Sequence, residues 1–161
     1  MKQVIFALVL LVPIGASMAQ SPCPPPVVKV LRGKQEVPST GAAFAAHVLL
    51  AVVPNPACVD GGTYRFREAE VTLLRGRRPV LATLLVHQGE ADLTALTSHA
   101  QPGDRLYVFV PYKHLFLVAT DGTLRPYRRP SPDAKEPTGI EAALLTDEAK
   151  GISFNWQLTR K

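Results

Sequence analysis

The chain contains little cysteine and no recognisable catalytic motif. Cys23 and Cys58 are the only cysteines among its 161 residues. Neither has a partner at the C-x-x-C spacing of zinc sites, which disfavours a metal centre built on the two cysteines. The G-x-S-x-G elbow of serine hydrolases and the G-x-x-x-x-G-K-S/T loop of nucleotide-binding proteins are both missing. After residue 19, no apolar run is long enough for a transmembrane helix. We therefore expect a non-catalytic chain with no cofactor.

The histidines also lack the spacing of a metal site. They fall in four separate parts of the chain, with no pair two or four residues apart: His47, His87, His99 and His114. Because metal ligands must converge, this distribution favours ordinary core or surface histidines, and we expect no metal. Ser98 and His99, with Asp92 or Asp104, form the combination that would suit a hydrolase. A small periplasmic hydrolase using His99 and Asp104 is therefore kept as an alternative.

Residues 1–19 have the organisation of a secretory signal peptide. Lys2 provides a positive start, residues 4–12 are an uninterrupted apolar run, and Ser17-Met18-Ala19 places small residues where a signal peptidase reads them. Cleavage is expected before residue 20. The residues preceding Cys23 do not match a lipoprotein signal, so no lipid anchor is expected. The prediction is a soluble protein exported to the periplasm or the cell exterior.

Export makes a disulfide the favoured state of the two cysteines. An even cysteine count in an oxidising compartment is typical of a disulfide framework. A bond between Cys23 and Cys58 would close a loop worth about 3–4 kcal/mol in the chain-entropy model. Two buried free thiols are the alternative.

The charge is mildly basic. Lysine and arginine number 18 and aspartate and glutamate 13, which gives a formal net charge of +5. Since nucleic acid is not an expected partner of an exported protein, we expect a different acidic partner. An anionic envelope surface or an acidic patch on another protein fits this charge better.

The apolar pattern predicts a single domain over residues 27–161, preceded by an extended proline-rich segment at residues 20–26. About seven short strands with one or two short helices indicate a mainly β fold, an antiparallel, immunoglobulin-like β-sandwich. A bend is expected near Glu68-Ala69, and Asp121-Gly122 is the strongest hairpin signal. The strands are predicted at residues 27–31, 64–74, 80–87, 105–110, 115–120, 123–127 and 152–158.

The last of these strands has the clearest pattern. Ile152, Phe154, Trp156 and Leu158 alternate with polar residues and share one face of a strand. We predict that this face lies in the core. The polar stretch before it, residues 128–150, predicts a long surface loop with one helical turn at residues 140–145.

Residues 42–53 fit two structures. They are apolar except for His47, and Ser39 or Thr40 would cap a helix that the alanines favour. The valines and the closing Pro54 fit a buried strand equally well, because a uniformly apolar run has no diagnostic period. We favour a short helix here. Residues 91–99 predict one or two further helical turns.

Arginines cluster in two parts of the chain. The first cluster accompanies one predicted strand and its turn: Arg65, Arg67, Arg75, Arg77 and Arg78. The second lies within residues 105–129 and includes Arg125 and Arg128. This segment contains one acidic residue, Asp121. A solvated basic surface covered by the acidic segment 131–150 is one interpretation. The other is a docking face for an acidic partner, with Arg75, Arg77, Arg78, Arg125 and Arg128 as its candidate contacts.

Several segments together resemble a known domain. The order of AEVTLLRGRRP, DLTALTSHAQPGDRLYV, DGTLRPY and GISFNWQL is similar to that of the C-terminal domain of the gliding-motility protein GldM, a periplasmic shaft component of the type IX secretion machinery. The resemblance covers residues 60–158 in patches. It implies a β-sandwich interaction domain without enzymatic activity. We expect this chain to lack that family's transmembrane helix and its other periplasmic domains.

The sequence thus predicts an exported, non-catalytic interaction module that binds another envelope protein, or a second copy of itself. A sheet edge or the arginine face would make the contact, since edge strands accept strands of other chains. Two alternatives stay open. One is the hydrolase described above, and the other is a binder of anionic envelope polymers.

Overall fold

The structure, a computed structural model, describes residues 23–58, 62–129 and 150–160. Strands take up 51% of these residues and helices 6%, so the predicted mainly β fold with short helices is confirmed. The helices are two 3-10 turns, η1 (Thr94–Leu96) and η2 (Tyr112–His114). Within the described ranges, no helix is long and apolar enough to cross a membrane. The predicted signal peptide and residues 130–149 of the predicted loop lie outside the described residues.

Twelve strands run through the described residues, compared with the seven that the sequence predicted. The additional strands are mostly short, and their pairing depends on a neighbouring strand more than on their own residues. In chain order they are β1 Val27–Arg32, β2 Gln35–Glu36, β3 His47–Val53, β4 Thr63–Phe66, β5 Glu68–Arg75, β6 Arg78–Pro79, β7 Leu84–His87, β8 Glu90–Asp92, β9 Arg105–Pro111, β10 Leu115–Val118, β11 Leu124–Pro126 and β12 Gly151–Gln157.

These strands form three antiparallel sheets. The first has the order β2-β1-β3-β8, the second β11-β10-β4, and the third β12-β9-β5-β6 with β7 also paired to β5. A single parallel bridge, from Ala42 to Leu158, links the start of the β3 region to the end of β12. The first and third sheets share one buried core, which makes the arrangement sandwich-like.

Alternating apolar residues create that core. In β1, β3 and β5, buried side chains occupy every second position, as the two-residue period of a strand requires. Valine and leucine dominate these positions because branched side chains pack well on a pleated surface. The first sheet contributes Val28, Val30, Val48, Leu50 and Val52, and the third contributes Ala69, Val71, Leu73, Leu106, Val108 and Val110.

The prediction for the closing strand is confirmed. Ile152, Trp156 and Leu158 are buried, Phe154 packs against the core at its margin, and the intervening residues are exposed. Trp156, only 1% exposed, donates a hydrogen bond from Nε1 to the Ala42 carbonyl at 3.1 Å. That bond satisfies the indole N–H inside the core.

The helix favoured for residues 42–53 is wrong. His47–Val53 is strand β3, which pairs with β1 on one side and β8 on the other. Its side chains alternate between the core and the outer face, and this burial outweighs the modest helix propensity of the alanines. Ala42 itself takes part in the bridge to Leu158.

Other predicted elements are present, but their boundaries differ from the predicted ones. The expected bend between residues 64 and 74 is a break at Arg67, where the chain passes from the second sheet into the third. The Asp121-Gly122 hairpin joins β10 and β11. Residues 80–87 are strand only over Leu84–His87, and residues 91–99 hold the end of β8 followed by the single turn η1.

The Cys23–Cys58 disulfide is present, with the two Cα atoms 5.3 Å apart. The register of β1 and β3 explains this proximity, because Val27 pairs with Val53. The chain therefore enters β1 and leaves β3 at the same end of the sheet. Asn55 adds a hydrogen bond from Nδ2 to the Pro25 carbonyl at 3.3 Å. Together these contacts hold the proline-rich entry to the loop after β3.

Candidate interaction surface

Strand β4 has one open edge. Among the described residues it pairs only with β10. The N–H of Arg67 donates to the His114 carbonyl at 2.9 Å, in the same register as the β4–β10 ladder. Since bonded pairs alternate along an antiparallel ladder, the main-chain groups of Arg65 also face β10. Those of Tyr64 and Phe66 therefore point away from β10, toward the open side.

A second strand end lies across from this edge. The N–H of Leu50 donates to the Gly89 carbonyl at 2.7 Å, at the end of the pairing between β3 and β8. Val52 lies two residues further along β3, so its main-chain groups face the same side as those of Leu50. Strand β8 does not extend far enough to pair with them. The two strands are not hydrogen-bonded to each other within the described chain.

A groove of about 580 Å³ occupies the space between these strands. Its surface is mainly apolar, with Leu50 and Val52 on the β3 side and Phe116 and Leu124 on the side of the second sheet. Leu124 is 54% exposed, which is unusual for a large apolar side chain in so small a sheet.

Two arginines supply the charge of the groove. Arg65 is paired with Phe116 in the β4–β10 register, so both side chains lie on one face of the second sheet. The guanidinium of Arg67 lies 5.4 Å from the centre of the Phe116 ring, a cation–π contact. Arg65 makes no hydrogen bond or ion pair with another described residue. The residues around the groove include no acid, so this surface is apolar and positively charged.

The opposite face of the second sheet packs against the core. Tyr64 and Tyr127 meet edge to face, with ring centres 5.8 Å apart, and Tyr112 lies 5.5 Å from Tyr127. Burial, together with the neighbouring phenols of Tyr112 and Tyr64, raises the pKa of Tyr127 to about 12. This packing fixes β4 from behind, whereas Arg65 and Arg67 on the outer face are exposed.

Arg75, a predicted docking residue, is held in an ion pair. Its Nε and Nη2 donate to the two carboxylate oxygens of Asp104 at 2.9 Å each, and Nη2 also donates to the His99 carbonyl at 3.0 Å. Asp104 is 3% exposed and accepts a further bond from the Gln101 N–H. The hydrogen bonds from Arg75 lower the pKa of Asp104, against the opposing effect of burial. This pair joins the end of β5 to the turn before β9.

The other predicted contact residues lie in two places. Arg77 and Arg78 are exposed at the β5–β6 turn, where Arg78 pairs with Arg75 in the strand register. Arg125 is exposed on β11, opposite Leu117, and Arg128 is exposed just after that strand. The first pair belongs to the third sheet and the second pair to the second sheet. The fold therefore does not unite the five predicted arginines on one strand or one sheet.

The residues of the hydrolase alternative do not form a catalytic arrangement. Asp104 is bonded to Arg75 rather than to an imidazole, and His99 reaches this cluster only through its main-chain carbonyl. Asp92 accepts a bond from the Thr94 N–H and lies 3.7 Å from His47. The pairing of His99 with Asp104 that this alternative required is thus not found among the described residues.

Glu68 links two histidines that the sequence left in separate elements. Its carboxylate lies 3.8 Å from His87 Nδ1 and 3.4 Å from His114 Nε2. The described part of the chain nevertheless contains no group of three potential ligands with the geometry of a metal site. Glu68 follows Arg67 directly in the sequence, but its carboxylate lies near the imidazoles of His87 and His114.

Sequence reasoning missed the groove. Phe116 and Leu124 carry no motif, and their exposure follows from which strands are adjacent in the fold. The alternation of Tyr64, Arg65, Phe66 and Arg67 was the available signal, because it places aromatic and basic side chains on opposite faces of one strand.

Comparisons with known proteins identify no relative. No protein-family model matches the chain, and no curated protein or solved structure is significantly similar to it.

Proposed function

We propose that this chain is an exported, non-catalytic interaction module of the cell envelope that binds an extended segment of a partner protein along the open edge of β4. The single observation that carries the proposal is the unpaired edge of β4 beside an apolar groove. Unpaired main-chain groups of an edge strand are a template for another strand, and neighbouring pockets then select its side chains.

Three features of the molecule support this proposal. The Cys23–Cys58 disulfide suits an oxidising compartment outside the cytoplasm. The groove is lined mainly by apolar residues and includes the exposed side chain of Leu124. The sequence resemblance to the GldM C-terminal domain also favours an interaction domain of the envelope, and we keep that relationship as part of the proposal.

Site-specific photo-cross-linking in the native envelope tests the proposal. A photoreactive residue would replace Leu124, at the groove, or Leu85, on β7. These two leucines are a matched pair because they are 54% and 56% exposed. We expect one discrete adduct from position 124 and none from position 85. Mass spectrometry should map the adduct to an extended segment of the partner.

A second variant makes this test specific for the strand edge. Tyr64→Pro removes an N–H that faces the open side and spares the bonds to β10. The adduct from position 124 should then be lost while the emission of Trp156 still reports a folded core. Tyr64→Ala is its control, because it loses the same ring packing against Tyr127 but keeps the N–H, and it should keep the adduct. Equal adducts from positions 124 and 85, or an adduct unaffected by Tyr64→Pro in a folded protein, would contradict the proposal.

Binding of anionic envelope polymers is the second candidate function. Arg77 and Arg78 favour it, because both are exposed and neither side chain makes a hydrogen bond or ion pair with another described residue. Such binding would weaken steeply with salt, since exposed charges are screened. Replacing both arginines with glutamine should then abolish retention on an anionic polysaccharide without changing the adduct from position 124.

A further inference from the structure

We infer that the partner segment at β4 carries acidic side chains at alternate positions, with apolar residues between them. This inference rests on the proposed function and specifies its partner. The groove has two guanidinium groups, those of Arg65 and Arg67, and no carboxylate around it. Glu68, the nearest acid in sequence, lies beside the imidazoles of His87 and His114 instead.

The spacing of the arginines sets the spacing of the acids. Arg65 lies on β4, and Arg67 directly follows the last residue of that strand in the same register against β10. Arg65 is opposite Phe116 and the Arg67 guanidinium lies over the Phe116 ring, so both side chains are on the Phe116 face, with their Cα atoms about 7 Å apart. A strand paired with β4 would place every second side chain on that face, opposite these two arginines. Acids at two alternate positions of the partner would therefore meet both guanidinium groups.

The intervening positions of the partner face the other way. They lie on the side of Tyr64 and Phe66, which are partly buried against the apolar core. A charged side chain there would lose its hydration without gaining a partner. Apolar residues fit these positions, and the resulting pattern is an acidic residue, an apolar residue and a second acidic residue.

A second copy of this chain fits the same edge poorly. Tyr64 and Phe66 carry the outward main-chain groups in both copies, so an antiparallel β4–β4 pair would join these residues to each other. The remaining positions would then place Arg65 and Arg67 of both copies on one shared face. Like charges directly opposite each other destabilise a strand pair, which makes self-association the weaker occupant of the groove.

Peptide binding to the full chain tests the inference. The probes are three fluorescent heptapeptides in which valine alternates with glutamate, glutamine or lysine, and anisotropy reports their binding at low salt. Two exposed ion pairs contribute modestly, so the glutamate peptide should bind about tenfold more tightly than the glutamine peptide. The lysine peptide should bind more weakly than either.

Protein variants assign this preference to the groove. Arg65→Gln should reduce the advantage of the glutamate peptide several-fold, and Arg65→Lys should restore part of it. Arg32→Gln is the matched control, because Arg32 is exposed on β1 and its side chain makes no hydrogen bond or ion pair with another described residue. It should leave all three affinities unchanged. Arg77→Gln tests the β5–β6 turn as the rival site of acid recognition. The emission of Trp156 reports whether each variant is folded.

The outcomes separate this inference from the proposed function. Equal binding of all three peptides, with an adduct still formed from position 124, would overturn the acidic preference and leave edge docking intact. If Arg77→Gln removed the preference for the glutamate peptide and Arg65→Gln kept it, acid recognition would lie at the β5–β6 turn. That result would overturn the inference. Absence of both peptide binding and the adduct would overturn the proposed function itself.

Discussion

Arg75 and Asp104 join two elements that are 29 residues apart in the chain through a bidentate ion pair, with both N–O distances at 2.9 Å. Asp104 is buried, whereas 49% of the Arg75 side chain is exposed. Arg75 therefore supplies hydrogen-bond donors to both oxygens of the buried Asp104 carboxylate. This relationship makes Arg75 primarily a stabilising residue and leaves Arg77 and Arg78 as the accessible arginines of that turn.

Replacing Asp104 should destabilise the fold. Asp104→Ala removes the acceptor for Arg75 and for the Gln101 N–H. A hydrogen bond to a charged group contributes about 1.5–3 kcal/mol. We expect the free energy of unfolding, measured with urea, to fall by roughly 2 kcal/mol. Glu90→Gln, at an exposed acid without a described partner, is the control and should leave it unchanged. Equal stability of Asp104→Ala and the parent would contradict this role.

The same ion pair predicts a loss of stability in acid. Because Arg75 lowers the pKa of Asp104 in the folded protein below the ordinary value of 3.8, the folded state binds this proton less readily than the unfolded state. The stabilisation is complete above that value and is lost as the pH falls through the folded-state pKa. The difference in unfolding free energy between the parent and Asp104→Asn should thus be constant from pH 5 to 7 and shrink below pH 4. The prediction would be contradicted if the difference in unfolding free energy between the parent and Asp104→Asn increased as the pH fell.

The disulfide should contribute a large share of the stability. Cys23→Ser with Cys58→Ser frees the entry to β1 from the loop after β3, and a closed loop of this length is worth about 3–4 kcal/mol. We expect the double variant to unfold at a correspondingly lower urea concentration. Reduction of the parent with dithiothreitol should reproduce the effect. The prediction would be contradicted if dithiothreitol fully reduced the disulfide of the parent protein but left its urea unfolding midpoint unchanged.

The sequence was informative where a pattern is local. The alternation from Ile152 to Leu158 predicted both a strand and its buried face, because each apolar residue lies two positions from the next. The Asp121-Gly122 turn was also predicted, because the two residues that favour a hairpin turn are adjacent in the sequence. Residues 42–53 were misread because a uniformly apolar run has no period, and the two neighbours of β3 decide its structure.

The candidate surface depended on long-range pairing, which local patterns do not contain. Arg75 was placed in a basic cluster, but its partner lies before β9 and could not be identified from spacing. Likewise, nothing in Tyr64 to Phe66 indicates that only one side of β4 is paired. The open edge follows from the order of the strands in the sheets.

Amide hydrogen exchange along β4 shows whether a partner strand pairs with the open edge of β4. In the free protein, the amides of Arg65 and Arg67 should exchange slowly because they face β10, whereas those of Tyr64 and Phe66 should exchange fast. Adding the alternating glutamate and valine peptide should slow Tyr64 and Phe66 at least tenfold and leave Arg77 and Arg78 unchanged. Fast exchange of Tyr64 and Phe66 in the saturated complex would show that the partner does not pair with this edge and would contradict the account.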